Sequence, residues 1–204
     1  MVFSTPIFLF LFLPAVLVLN YIIPKKYIAA KNVVLLIASL FFYAWGEPKN
    51  VLLMLLSIVV NYVCGLLLGK FDSDEKKRKV VLWVSVVFNL GLLFFFKYFN
   101  FVTGGLFPVI KLPIGISFFT FQIMSYTIDV YRRSVEPQKN LVKLALYISL
   151  FPQLIAGPIV RYIDVEKQLT YRECTAEKTA RGMIRFSMGL AKKVIVSNTV
   201  AAIC

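Results

Sequence analysis

LPIGISFFTFQIMSYTIDVY (Leu112 to Tyr131) and LVKLALYISLFPQLIAGPIV (Leu141 to Val160) are apolar runs that polar groups and helix breakers interrupt. The first carries Ser117, Thr120, Gln122, Ser125, Thr127 and Asp129; the second carries Pro152, Gln153, Gly157 and Pro158. In hydrocarbon an unpaired amide or carbonyl is costly, so broken backbone and buried polar side chains persist there only against protein or around a wet cavity. Both runs therefore read as parts of a pathway or site.

Composition sets the solvent. With 59% apolar residues and a mean hydropathy of +0.79, too little polar surface remains to cover a water-soluble domain, and the chain reads as an all-α, polytopic integral membrane protein. Lys and Arg number 23 against 10 Asp and Glu, a net charge of +13. Nucleic acid is not the expected partner, because these charges sit in turns between apolar runs, where they match cytoplasmic loops and the lipid bilayer's anionic head groups. Cys64, Cys174 and Cys204 are too widely spaced to suggest a metal site or a disulfide framework.

Five spans are expected at about 5–23, 32–45, 51–69, 80–102 and 112–131. The first lacks a signal-peptide pattern and reads as retained; the third, Val51 to Gly69, reads as uniformly apolar. Basic turns alternate: Lys25, Lys26 and Lys31 follow the first span, and Lys70, Lys76, Lys77, Arg78 and Lys79 follow the third, with few cations at the turns between. The positive-inside rule then puts the N-terminus outside and these turns in the cytoplasm, together with Arg132, Arg133, Lys139 and Lys143.

The next run leaves from that basic flank and ends at another, with Arg161, Lys167 and Arg172 beyond it. A re-entrant helix over about 141–160, capped by Asn140 and turned at Pro152, Gly157 and Pro158, satisfies both flanks. A Pro-kinked ordinary span is the alternative, disfavoured because the charge pattern would fail there alone. Gln122, Ser125, Asp129 and Arg132 share one side of the fifth span, lining a substrate path or bonding a neighbouring helix, with Asp129 then paired to Arg132 or Arg133. Thr175 caps an amphipathic, cytoplasmic-side helix over about 176–200. Its cationic face, Arg181, Arg185, Lys192 and Lys193, is either solvated at an interface or a wall that attracts a phosphate-bearing donor.

The block from Leu112 to Gln122, Asp129-Val-Tyr-Arg132 and the block from Phe151 to Arg161 resemble the membrane-bound O-acyltransferase family, in its bacterial alginate O-acetylase branch. The stretches Val2 to Pro14, Phe42 to Pro48 and Gly189 to Lys193 are similar to the same branch. The resemblance implies a funnel-shaped ring of helices in the bacterial inner (cytoplasmic) membrane. It also implies transfer of an acetyl group from a cytoplasmic donor, acetyl-CoA or an acyl carrier, to hydroxyls of an exported or cell-wall polysaccharide such as alginate. Partners would be the polysaccharide acceptor or other envelope acetylation proteins. On this reading Gln153 and Arg161 form the cytoplasmic mouth, with Gln122 and Asp129 on the adjoining helix.

Family members of this branch are more than twice as long and carry a membrane-embedded catalytic histidine, whereas this chain has no His. No catalytic residue can therefore be assigned, no bound cofactor or metal is expected, and the chain reads as an N-terminal portion of one acyltransferase domain, inactive without its C-terminal half. A neutral imidazole suits removal of an alcohol proton near pH 7. Asp129, beside two arginines, reads as an ion-pair member instead of a base. Two other classes remain: a transporter or channel subunit, since broken helices also serve transport, and a noncatalytic membrane scaffold. No internal repeat supports the former.

Overall fold

The computed structural model describes residues 3, 5–24, 26–103, 111–154, 158–172 and 175–203, and in them the chain is helical without strands. A π-helical turn, Phe8–Phe12, runs into α1 (Leu13–Ile22). Pro14 offers no N–H to Phe10, and the wider turn accommodates that missing bond. There follow α2 (Ile28–Gly46), α3 (Asn50–Lys70) and α4 (Glu75–Val102). These three are the described helices long and apolar enough to cross a membrane. Asp74 caps α4, accepting from the amides of Lys76 and Lys77 at 3.1 Å, and this stop in the polar turn fixes where α4 begins.

α5 (Ile116–Tyr131) starts later than its apolar run, after Gly115 turns the chain at φ 75°. A Cβ there would stand 2.7 Å from the Leu154 carbonyl oxygen. Glycine thus serves both a left-handed turn and a close backbone approach. The second broken run forms α6 (Leu141–Ser149) and the single turn α7 (Phe151–Leu154), after which α8 (Tyr162–Thr170) and α9 (Ala176–Ala191) follow. A π-helical stretch, Lys192–Ser197, joins α9 to α10 (Asn198–Ile203).

Hydrogen bonds fix which turns share an end. At one end Tyr62 donates to the Lys139 carbonyl at 2.7 Å, Lys143 to Thr170 Oγ1 at 3.0 Å, and Asn32 Nδ2 to the Leu169 carbonyl at 2.9 Å. The starts of α2 and α6 and the ends of α3, α5 and α8 therefore meet there, together with most of the Lys and Arg. At the other end Tyr43 donates to the Ile114 carbonyl and the Ile114 amide to Glu47, both at 3.1 Å.

The core lies between α3, α5 and α6, where Met54, Phe119, Ile123, Tyr126, Leu144 and Ile148 are buried. A second cluster of Phe8, Phe12, Phe42 and Phe151 seats α1 against α2 and α7. Lipid is as apolar as leucine, so close packing and interhelical hydrogen bonds hold such helices together. Asn61 supplies several of those bonds. Its Oδ1 accepts from Ser85 Oγ at 2.6 Å, Asn89 Nδ2 at 2.8 Å and Thr127 Oγ1 at 3.3 Å, so one carbonyl ties α3 to α4 and α5. The third span is therefore not uniformly apolar in function.

Arg78, only 2% exposed, makes a second tie. Its guanidinium donates to the Leu68 carbonyl at 3.0 Å, to Tyr131 at 2.6 Å, to Val130 at 3.3 Å and to Asp72 at 2.5 Å. The last carbonyls of α3 and α5 lack helical partners and carry the negative end of each dipole, which is where a cation is favourable.

Candidate functional site at a broken helix

Asn140 Oδ1 caps α6, accepting from the amides of Val142 at 2.9 Å and Lys143 at 3.2 Å. After the nine residues of α6, Leu150 leaves the helix at φ −56°, ψ 113°, and Pro152 has no amide hydrogen to resume the ladder. In an unbroken helix the Phe151 N–H would close on the Tyr147 carbonyl. Here that N–H donates to Ser39 Oγ on α2 at 3.3 Å. The freed carbonyl takes Gln122 Nε2 at 2.8 Å and Gln153 Nε2 at 3.2 Å. Two glutamines from different elements thus repair one broken rung.

Beyond Leu154 the chain returns. The Tyr147 hydroxyl donates to the Val160 carbonyl at 2.8 Å, and the Tyr162 ring lies edge-on to Tyr147 at 5.2 Å and to Tyr126 at 5.1 Å. Gln138, in the α5–α6 loop, donates its side-chain amide to the Tyr162 hydroxyl at 2.5 Å. The limb from 141 to 170 therefore leaves the basic end, reaches Gly115 at the far end and comes back. Gly157 lies outside the described residues; Pro158 is exposed.

That return places Arg161 over Asp129. Arg161 Nη2 and Nε reach Asp129 Oδ1 at 2.6 Å and Oδ2 at 3.3 Å. The Asp129 side chain is 4% exposed and that of Arg161 53% exposed, so the carboxylate is enclosed and the cation half open. Nη1 of Arg161 has no hydrogen-bond partner among the described residues. The pairing of Asp129 with Arg132 or Arg133 is corrected: Arg133 turns away at φ 59° and bonds Asp72 at 3.0 Å and Glu75 at 2.7 Å. Arg132, the exposed C-cap of α5, makes no ion pair among the described residues. Arg133 lowers Asp72 below the ordinary carboxylate range, chiefly through its hydrogen bond.

Ser125 donates to the Gln122 carbonyl at 2.8 Å, beside this cluster. Gln122, Gln153, Asp129 and Arg161 thus gather on the broken limb and the α5 face it covers. Arg181, Arg185, Lys192 and Lys193 do not join them; they project from α9 and the π stretch, where Arg181 pairs with Glu177 at 2.5 Å. Sequence reasoning missed Asn61, Asn89, Arg78 and Tyr147. The signal for the first two is a repeated Ser-x-x-x-Asn, Ser57 to Asn61 and Ser85 to Asn89, within apolar runs. No group of three or more His, Cys, Asp or Glu among the described residues could hold a metal.

Crossing helices, a limb that turns back inside the bundle and an enclosed carboxylate under a half-open guanidinium define a helical membrane protein with a built polar site at its basic end. Over its whole length the chain is 41% identical to the probable alginate O-acetylase AlgI of Pseudomonas aeruginosa and 40% identical to that of Azotobacter vinelandii, covering 41% and 43% of them. Over 98% of its length it is 34% identical to the peptidoglycan O-acetyltransferase of Helicobacter pylori, covering 45% of it. The chain belongs to the membrane-bound O-acyltransferase family, in the branch those proteins represent. It spans less than half the length of these relatives. No family model and no solved structure matches it.

Proposed function

We propose that these residues form the donor side of an O-acetyltransferase that moves an acetyl group from a cytoplasmic carrier to hydroxyls of an exported or cell-wall polysaccharide. The relatives' names, alginate O-acetylase and peptidoglycan O-acetyltransferase, support the reaction class. The Asp129–Arg161 pair carries the site assignment. A carboxylate holds two guanidinium nitrogens in place and leaves the third without a described partner on a half-exposed side chain, an arrangement suited to the phosphates of acetyl-CoA or of an acyl carrier's prosthetic arm. Gln122 and Gln153 fix the Tyr147 carbonyl, and through the Tyr147 hydroxyl the Val160 carbonyl beside Arg161, so they act as positioning residues.

The chain holds no His, and the carboxylate at the site is occupied by Arg161. Proton removal from the acceptor hydroxyl therefore falls to a histidine outside these 204 residues. The limb from 141 to 170 is then a re-entrant element of a funnel in the inner membrane, opening to the cytoplasm at the basic end, with the N-terminus outside.

The test is Arg161→Ala in the intact acetyltransferase. Loss of a charge-assisted contact of ~1.5–3 kcal/mol raises the donor KM by about ten- to a hundredfold with kcat little changed. Because that variant leaves Asp129 enclosed and unpaired, the neutral pair Asp129→Asn with Arg161→Gln is measured beside it. Unchanged donor KM in both variants refutes the assignment.

A further inference from the structure

No residue of α9 is buried, and none of the π stretch that follows it is either. A Cβ built at Gly182 or Gly189 would meet nothing within 4 Å. This arm touches the bundle where the Tyr21 hydroxyl meets Thr179 Oγ1, which seats its first turns at the basic end, beside the end of α1.

Its sequence is amphipathic around the axis, with an apolar arc on one side and, on the other, a cationic arc that Ile184 and Met188 flank. Lys178, Arg181, Arg185 and Lys192 fall within one narrow arc at helical spacing, while Met183, Phe186 and Leu190 lie opposite. Met183 is 55% and Phe186 41% exposed. A water-facing helix has no use for such an apolar arc, and a helix packed inside a bundle has none for the cations. Hydrocarbon under one face and phosphate along the other meet both requirements at a single place, the head-group boundary of an anionic bilayer.

We propose that residues 176–203 form an arm lying in the plane of the membrane at the basic end, docked on anionic phospholipid head groups. Its apolar arc enters the acyl boundary, and its cations engage lipid phosphates. The proposal is independent of the donor-site reading, since it concerns lipid and not the Asp129–Arg161 pair.

The whole chain is placed in nanodiscs of phosphatidylcholine alone or with phosphatidylglycerol, and amide hydrogen exchange over 176–191 is followed on the unmodified protein. A fluorophore at Phe186→Cys or Gly189→Cys, each in a background without the native cysteines, reports depth through lipid-borne and aqueous quenchers. With phosphatidylglycerol the arm is expected to be protected and the Phe186 site immersed while the Gly189 site stays in water. High salt, or Lys178→Gln, Arg181→Gln, Arg185→Gln and Lys192→Gln together, should weaken docking by about fivefold per cation. Equal protection in both lipids would overturn the proposal, because protein would then cover the arc, and so would no protection in either.

Discussion

Replacing Asn61 by Leu probes the tie between α3, α4 and α5 most directly. The substitution removes four helix-to-helix hydrogen bonds: those that Ser85, Asn89 and Thr127 donate to Asn61 Oδ1, and the one Asn61 Nδ2 donates to Asn89 Oδ1 at 3.2 Å. Two of those donors keep other partners: Asn89 Nδ2 retains the Ser85 carbonyl at 2.7 Å, and Thr127 Oγ1 the Ile123 carbonyl at 3.3 Å. The Ser85 hydroxyl loses its acceptor and Asn89 Oδ1 its donor, while the other groups keep partners, so the loss follows the usual worth of an interhelical bond more closely than a full burial penalty. At ~0.6 kcal/mol each this is about 2.4 kcal/mol, with a ceiling of ~7 kcal/mol at ~1.7 each. Reversible unfolding in lipid–detergent micelles, followed by steric trapping, measures it. The double variant Asn61→Leu with Asn89→Leu removes both amides and should cost at least ~0.5 kcal/mol less than the two single changes together. A single-variant loss below about 0.5 kcal/mol, or strict additivity, would refute the shared network.

Arg78→Met strips the cation from the carbonyl ends of α3 and α5 and should cost about 2–4 kcal/mol, with Arg78→Lys recovering only part, since one ammonium cannot span carbonyls on two helices; the same unfolding assay reads both. Gly115→Ala forces a Cβ against the Leu154 carbonyl oxygen in a left-handed turn; a loss of ~1–3 kcal/mol and faster proteolysis after α7 are expected. The Asp72–Arg133 clip has a defined acid limit. Because Arg133 lowers the folded Asp72 below its ordinary 3.8, its contribution is complete above that value and disappears as pH falls through the lower folded one. NMR of the Arg133 guanidinium should therefore be unchanged from pH 8 to 5 and alter only in stronger acid, whereas Asp72→Asn should reproduce the altered signal at neutral pH.

Local chemistry made parts of this architecture readable in advance. The Asn140 and Thr175 caps act within three residues, and the break at Leu150 follows from a proline whose missing hydrogen is a covalent fact. Helical spacing correctly put Gln122 and Asp129 on a buried side of α5, because that side is set by 3.6-residue geometry. What the spacing could not supply was the partner. Arg161 lies 32 residues beyond Asp129 and reaches it only because the limb folds back, whereas the adjacent arginines made a local pairing look sufficient. Asn61 and Asn89 went unnoticed for the opposite reason: each is one amide in a long apolar run, and its meaning emerges only when the two Ser-x-x-x-Asn turns face each other.

Arg78 and Asn61 together have a mechanical consequence. Pinned at the terminal carbonyls and again farther along by a shared amide, α3, α4 and α5 are fastened as one rigid block carrying Asp129. The opposing arginine rides on a limb whose own ladder is interrupted at Leu150, so a change in the spacing between Arg161 and Asp129 is more easily made in that limb than in the block it faces.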